Sequence, residues 1–542
     1  MKKIFALMLS FVLAFSCAVT AFAADGADFG MLNVARIRVT TAEGNGTSLQ
    51  KTDGYVDAEI SITAPDSSVL EDSVQFKVRG NTTAMVATQK KAYAFKFEKK
   101  QNVLGMGKGK KWVLLANCFD PTLLRNDIAN TLAHELSLPY TSERQFVELW
   151  VDGSYRGCYD LYEPVSEGKD RVNIDIESND GMKDFLIEYE AQREEEDVTY
   201  FNVEELRFIA SEPDEPNEEQ LSYIVSVMQE IIDTLKSGTR EQIEQKIDVD
   251  SFVKYYLMNE YLKTFDFDMS SVYYFYKNGK LYAGPAWDYD LSAGNSNDSL
   301  NGRRYKEAVP TTGLFIDQKN LYRFITDKEW FYDEVAKVYR EYYPFIGNIS
   351  ADGGLLDTEY SEYSEIFERN YAPGVWKLRA GINIQKPVLP TYQENFDYLK
   401  NWYSERNAWL TEYLDPFNVN HFYLGDADGD NTLSILDATA IQKRLASLQV
   451  SSYDEEAADA DEDETVTVLD ATHIQKYIAL LPANPRVGKR LEYQEPSEPA
   501  TEPETEPSTV PTDEPMSQPA SQPATESASQ PASEPTIEST EG

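Results

Sequence analysis

Cysteine, histidine and basic charge are scarce in this sequence: its 542 residues hold three Cys, three His and 50 Lys+Arg against 92 Asp+Glu, a net charge of −42. Each scarcity narrows the function. So acidic a surface repels phosphate backbones, which argues against nucleic acid as a partner. Three His and three Cys leave little room for a His-rich zinc centre, a CxxC redox pair or a Ser-His-Asp triad, although one His would suffice for the last. After the N-terminal 23 residues there is no run of 18 or more apolar residues, so no transmembrane span is expected there. The chemistry is to be sought among carboxylates.

The charge is uneven. Residues 493–542 hold eleven acidic residues and no Lys or Arg, and residues 424–482 hold thirteen against three, so these stretches supply −11 and −10. The region before them is only moderately acidic. At about 150 residues per domain, the length allows more than one core.

Met1, Lys2 and Lys3 precede an apolar run from Ile4 to Val19 and then Ala21-Phe22-Ala23, the pattern of a secretory signal over residues 1–23. Export to an extracellular location is the expectation. Cys118 and Cys158 remain in the mature chain and either pair or sit as two small buried thiols.

Residues 33–63 and 73–99 alternate apolar and polar residues, which predicts short strands. Residues 219–236 place Leu221, Ile224, Val225, Met228, Ile231, Ile232 and Leu235 at helical spacing and stop at Gly238. A second helix is predicted over 250–263 with Asp250 as N-cap, and two longer ones over 319–343 and 391–414. Strands followed by helices favour one α+β domain over residues 33–415. From Tyr493 the chain is Glu, Pro, Ser, Thr and Gln with ten of its 25 prolines, a composition that buries no core and predicts a disordered tail over 493–542.

Between domain and tail lies a repeat. Asp426-Ala-Asp428-Gly-Asp430-Asn-Thr-Leu-Ser434-Ile-Leu-Asp437 recurs 33 residues later as Asp459-Ala-Asp461-Glu-Asp463-Glu-Thr-Val-Thr467-Val-Leu-Asp470, each followed by a helical segment. Carboxylates at positions 1, 3, 5 and 12, the hydroxyls of Ser434 and Thr467 at position 9, and the carbonyls of Thr432 and Thr465 are the hard oxygens that two Ca²⁺ ions require. Glu464 stands at position 6, where the loop wants a left-handed backbone that Glu adopts reluctantly.

These tandem loops resemble a type I-like dockerin over residues 424–482, a small all-α, double EF-hand-like module that plugs an enzyme into a cohesin on a cellulosomal scaffold. The resemblance implies a cohesin partner, a cellulosome-associated or cell-surface location near plant polysaccharide, and cohesin contacts by Ile435, Leu436, Val468 and Leu469 with Lys443 and Arg444 on the first helix.

The large domain offers one concentrated signal. Ser271 to Tyr276 reads as a strand, Asn278-Gly279 as a type I′ turn and Lys280 to Ala286 as the return strand. A hairpin brings its two ends together, so Asp266 and Asp268 before it meet Asp288 and Asp290 after it. Four carboxylates there invite a divalent metal, or one acid/base with metal ligands.

Arg79-Gly80-Asn81-Thr82, Lys91 to Phe97, Lys111 to Asn117 with Asp120 to Arg125, Val151 to Tyr159 with Glu163, and Gly284-Pro285-Ala286-Trp287-Asp288-Tyr289-Asp290 are similar, in order, to the motifs of CotH, the spore-coat kinase family. The resemblance implies an atypical protein-kinase-like domain with a strand-rich N-terminal segment that transfers the γ-phosphoryl of ATP to Ser/Thr of secreted proteins. By position Asp266 matches the catalytic-loop Asp, and Asp288, with Asp290 and Asp268, the Mg²⁺ or Mn²⁺ ligands. Arg79, Lys96 and Glu163 match nucleotide-holding positions. Where many kinases place Asn for a second metal, this chain has Ser271. The glycines of Leu104 to Lys111 are assigned to a turn rather than a phosphate loop, and Trp112, Trp150 and Trp287 to the core. Two other readings stay open: a glycoside hydrolase using a carboxylate pair, and a catalytically silent binding domain.

Overall fold

Alternation of apolar and polar residues builds the first half of the molecule. In β2 (Val56–Thr63) Ala58, Ile60 and Ile62 are buried while Asp57 and Glu59 face water. The computed structural model describes residues 32–492 except 81–82, 85–89, 179–180, 192, 196–197, 372–384, 415–420, 430–432, 451 and 480. The expected signal over 1–23, Asn81 and Thr82, and the expected tail over 493–542 lie outside the described residues.

The strands β1 (Ala35–Thr41), β2, β3 (Val69–Arg79), β4 (Ala92–Asn102), β5 (Lys108–Leu115), β6 (Arg144–Val151) and β7 (Ser154–Tyr162) close into a barrel in the order β1-β2-β3-β4-β5-β7-β6. Its closing pair, β1 with β6, is parallel and sets Ile37 opposite Leu149. Closure removes the free edges that an open sheet of this size would expose. Phe76, Tyr93, Phe95, Trp112 and Tyr159 are fully buried within this region, and the rings of Phe76 and Tyr93 stack with centroids 4.8 Å apart. Each such side chain contributes about 1.5–3 kcal/mol by leaving water. The glycines after Leu104 make the β4–β5 turn, with φ of +82° at Gly105 and +93° at Gly107, conformations that a side chain disfavours.

Helix α1 (Arg125–Glu135) precedes β6, and a small hairpin, β8 (Glu177–Ser178) with β9 (Gly181–Met182), follows β7. Next comes a five-stranded sheet in the order β11-β12-β10-β13-β14, formed by β10 (Phe185–Tyr189), β11 (Tyr200–Val203), β12 (Leu206–Glu212), β13 (Val272–Lys277) and β14 (Lys280–Ala283). The last two strands are the predicted hairpin. Asn278 and Gly279 between them have φ of +51° and +87°, as a type I′ turn requires.

Helix α2 (Glu218–Ser237) buries Ile224, Met228, Ile231, Ile232 and Leu235, and its cap Asn217 accepts the Gln220 N–H at 2.9 Å. Short α3 (Arg240–Lys246) follows. Helix α4 (Val249–Leu262) starts earlier than expected: the cap is Asp248, which accepts the Ser251 N–H at 2.9 Å, while Asp250 is in the first turn and pairs with Lys254. After short α5 (Arg303–Glu307), the helix expected over 319–343 divides into a 3₁₀ turn, Asn320–Phe324, and α6 (Glu329–Ser350). Left-handed Gln318 and Asn320, φ +61° and +52°, keep an α-helix from starting at residue 319. Helix α7 (Leu355–Asn370) adds to the expected set, and α8 (Tyr392–Leu414) matches the last long helix.

The C-terminal module contains α9 (Ile435–Leu445), α10 (Glu455–Ala458) and α11 (Val468–Ile478). A two-stranded sheet of β15 (His421–Tyr423) and β16 (Arg490–Glu492) ties its ends and extends it past residue 482. The Tyr423 hydroxyl, fixed by β15, donates to Asp333 of α6.

Candidate functional site

The hairpin β13–β14 does what its sequence promised for three of four aspartates. A cavity of about 570 Å³ is lined by Asp266, Asp288 and Asp290, with Arg79, Glu188, Glu190, Arg193, Ser271, Trp287 and Arg304 among its other walls. That volume is within the range of about 300–1,000 Å³ common for small-molecule sites. Asp268 does not line it. Phe265 to Asp268 form a 3₁₀ turn that buries Phe265 and Phe267, and residues two apart on such a turn point in different directions.

Electrostatics marks the three aspartates as crowded. Burial, then the charge of Asp288, raises the Asp266 carboxyl to about 7, against the pull of Arg304 and Arg193. Asp290 is pushed well above its ordinary value by burial and by Asp288, Asp266 and Asp120. Burial also raises Asp288, which Arg79 opposes. Three carboxyls that oppose one another's ionisation are a donor set that a dication satisfies, so their chemistry fits Mg²⁺ or Mn²⁺.

Strain sits at the same wall. Asp288 and Ser271 have φ of +66° and +64°, left-handed conformations that non-glycine residues hold only where the surroundings enforce them. The Ser271 N–H donates to Glu188 at 3.0 Å, and the Tyr273 hydroxyl to the other oxygen of Glu188 at 3.0 Å. The Arg79 guanidinium lies 5.6 Å from the Trp287 ring centroid. Trp287 is thus buried, as expected, and also a wall of the cavity.

The remaining nucleotide candidates lie elsewhere. Lys96 is half-buried on β4, opposite Lys111 of β5, and does not line the cavity. Lys90 reaches closer: its buried ammonium donates to the carbonyls of Ala116, a cavity residue, and Cys158, and burial lowers it to about 8. Glu163 faces a separate cavity of about 200 Å³ beside Arg171, whose Nε is 3.6 Å away. Cys118 and Cys158 are free, buried thiols. His134 is exposed, whereas His473 is half-buried and accepts the Asn484 N–H on Nδ1 at 2.9 Å.

Sequence reasoning missed Glu188, Glu190, Arg193 and Arg304. A signal existed for the first two: half-buried Glu188 in the apolar strand β10 and buried Glu190 just past its end stand two apart, carboxylates where an apolar strand has no reason to carry charge.

The repeated loops form two carboxylate clusters, Asp426 with Asp428 and Asp437, and Asp459 with Asp461 and Asp463, in each of which one ligand oxygen per residue lies within 4.8 Å of the others. Asp430 and Thr432 lie outside the described residues. Asp437 and Asp470 brace the two loops alike, accepting the N–H of Asp428 at 3.2 Å and of Asp461 at 3.0 Å. Ser434 and Thr467 cap α9 and α11 by accepting the N–H of Leu436 and Leu469 at 3.0 Å each. Thr465 lies in the second loop, exposed. Burial and the neighbouring Asp426 and Asp428 raise Asp437 to about 7, and the buried Oδ1 of Asp461 has no hydrogen-bond partner. Both observations fit a cation at these loops.

Ile435, Leu436, Val468 and Leu469 are 56%, 59%, 62% and 56% exposed, too much apolar surface for four adjacent helix-start positions without a partner. Lys443 and Arg444 are exposed on α9.

Residues 76–410 match the family described as CotH kinase protein, and residues 424–479 match the dockerin type I domain. The first match covers more than half of the chain. No curated protein matches the sequence. Dockerin domains generally bind calcium, pair with cohesins and occur in extracellular cellulosome proteins. No helix among the described residues is long and apolar enough to cross a membrane.

Proposed function

The chain belongs to the CotH kinase protein family and carries a dockerin domain behind the kinase domain, and from that premise we propose that it is a secreted, cellulosome-associated enzyme that phosphorylates Ser/Thr of secreted proteins. The observation that carries this reading is the convergence of Asp266, Asp288 and Asp290 on one cavity. Asp266, held near 7, is poised to take the proton of an acceptor hydroxyl. Asp288 and Asp290 are the residues to hold Mg²⁺ or Mn²⁺, and Arg79 beside Asp288 is placed to meet phosphate charge. The bound metal–ATP supplies the transferable γ-phosphoryl and neutralises charge on it. Ser271 leaves the position of the usual second-metal Asn without a carboxamide, so Asp290 supplies the further oxygen ligand.

The dockerin, loaded with two Ca²⁺, then docks this enzyme on a scaffold cohesin through Ile435, Leu436, Val468 and Leu469. Leu436→Asp with Leu469→Asp should abolish cohesin binding, as should chelation of calcium. Binding that survives the chelator contradicts the calcium requirement.

Incubation of the purified chain with labelled ATP and Mn²⁺, beside Asp288→Ala, tests the enzyme. Transfer that depends on Asp288 is expected. Absence of nucleotide binding overturns the reading in favour of a silent domain, and release of reducing sugar from xylan that survives Asp288→Ala favours a glycoside hydrolase.

A further inference from the structure

A module that hangs on a tether needs a core of its own, because nothing outside it covers its apolar side chains. Here the core is shared. Tyr423, Leu433, Ile441, Ile474 and Val487 of the C-terminal module belong to the same continuous set of buried apolar residues as Phe331 and Val335 of α6. The Tyr423 hydroxyl donates to Asp333 of α6, and both residues are buried. A second approach lies on α11: burial, then the charge of Glu241 on α3, raises the Tyr477 hydroxyl above its ordinary value.

Tyr423 also touches the first calcium loop. Asp426, at loop position 1, donates its N–H to the Tyr423 carbonyl at 2.8 Å. Its carboxylate is buried and stands in the cluster with Asp428 and Asp437. The two residues between are gripped: Leu424 donates to the Lys489 carbonyl at 3.0 Å, and Gly425 to the Ala457 carbonyl at 2.7 Å. Gly425 has φ of +101°, and a Cβ there would lie 3.1 to 3.3 Å from Leu433, Val487 and Ile474. The link from Tyr423 to Asp426 therefore has no slack. On the other side, Phe331 of α6 meets Tyr256 of α4 nearly edge to face, with ring centroids 5.2 Å apart, and α4 ends just before Asp266.

Resting on the calcium reading of these loops, we propose that the module is a fixed part of the kinase domain, and that calcium at the first loop stabilises the kinase domain through Tyr423 and Asp333. The carboxylates of Asp426, Asp428 and Asp437 repel one another until a cation joins them, and that repulsion acts on the turn that seats Tyr423. Release of Tyr423 takes a hydroxyl donor from the buried Asp333 carboxylate, a loss that packing does not offset. A cation that binds the folded chain and not the unfolded one stabilises everything that unfolds with its site. The shared core makes the kinase domain part of that unit.

All seven tryptophans precede residue 415, so their fluorescence reports the kinase domain alone. The test melts the full chain with calcium and with a chelator, and measures calcium binding in parallel by titration calorimetry. Where free calcium is about a hundred times its dissociation constant, one fully coupled site multiplies the folded-to-unfolded ratio about a hundredfold. The tryptophan melt of the parent should accordingly shift upward with calcium. In Tyr423→Phe, which keeps the ring and loses the hydroxyl, the shift should shrink, and Tyr423→Ala should lose more of it. Asp426→Ala should abolish it, whereas Asp459→Ala in the second loop should keep most of it. Calcium binding with no change in the tryptophan melt overturns the proposal, as does a shift that Tyr423→Phe leaves intact. A shift that survives Asp426→Ala belongs to the aspartate cavity and overturns it too. Absence of calcium binding in the parent removes the calcium reading, and the proposal falls with it.

Discussion

Asn126, in the first turn of α1, accepts the backbone N–H of Tyr289 on its Oδ1 at 2.7 Å, so a side chain of α1 holds the loop between Asp288 and Asp290. The same carboxamide donates to Asn117 at 2.9 Å, and the neighbouring Arg125 donates to the Ser292 carbonyl at 2.9 Å while pairing with Asp120. The positive φ of Asp288 therefore has a cause: the loop is gripped just beyond it. Asn126→Ala leaves the buried Tyr289 N–H without an acceptor, which costs about 1–3 kcal/mol. Thermal unfolding should show a lower midpoint, and Mn²⁺-dependent nucleotide binding should weaken with it. If the variant matches the parent in both, the tether is not what positions Asp288.

A second relationship is structural. Arg406 of α8, fully buried, donates to Glu260 of α4 at 2.7 Å, and Glu260 also accepts the N–H groups of Phe315 and Ile316 at 2.7 Å each. Removing one member of a buried ion pair strands the other, at a cost of about 3–5 kcal/mol. Arg406→Met should unfold at markedly lower denaturant concentration than the parent, by circular dichroism, and more so than Arg303→Met, which loses only an exposed pair with Glu307. Similar midpoints for the two variants would contradict this.

How much of this was legible in the sequence follows from the range of the interaction. The β13–β14 hairpin and the repeated calcium loops are local: Asn278-Gly279 dictates the turn, and the twelve-residue spacing dictates the carboxylate cluster. The closed barrel was not legible, because its closing pair joins β1 to β6, more than a hundred residues apart, and alternation in either strand says nothing about its partner. The helix expected to be capped by Asp250 is capped by Asp248 instead, because the cap is whichever carboxylate the folded backbone sets against the Ser251 N–H, and residue type alone does not say which. Arg304 was invisible for a related reason: it lines the cavity from a short helix that no spacing rule links to Asp266.

Glu163 gives a pH signature. Burial is the largest cause holding its carboxyl at about 7, with Arg171 opposing, against an ordinary value of 4.5. Between 4.5 and 7 the folded chain binds the proton that the unfolded chain has released. Stability contributed by this group is therefore full below 4.5 and is lost as pH rises towards 7. In melts from pH 4.5 to 7.5, Glu163→Gln should lose part of the downward slope that the parent shows. A slope identical in both proteins would falsify the assignment.

The second calcium loop contains its own handicap. Glu464 stands at loop position 6 with φ of +68°, where its Cβ is strained, and its N–H is already committed to Asp459 at 2.8 Å. Its side chain is exposed, so nothing in the packing opposes a change there. Glu464→Gly removes the left-handed penalty, about 1 kcal/mol. Part of that strain is incurred only when the loop is ordered around a cation, so calcium affinity at this loop should rise a few-fold while the loop from Asp426 to Asp437 is unaffected. Titration calorimetry resolves the two sites if they differ in affinity. Asp461→Ala supplies the control, removing the unpartnered carboxylate oxygen and with it one of the two binding events. An affinity that stays the same or falls in Glu464→Gly would mean that the negative charge of Glu464 outweighs its backbone strain.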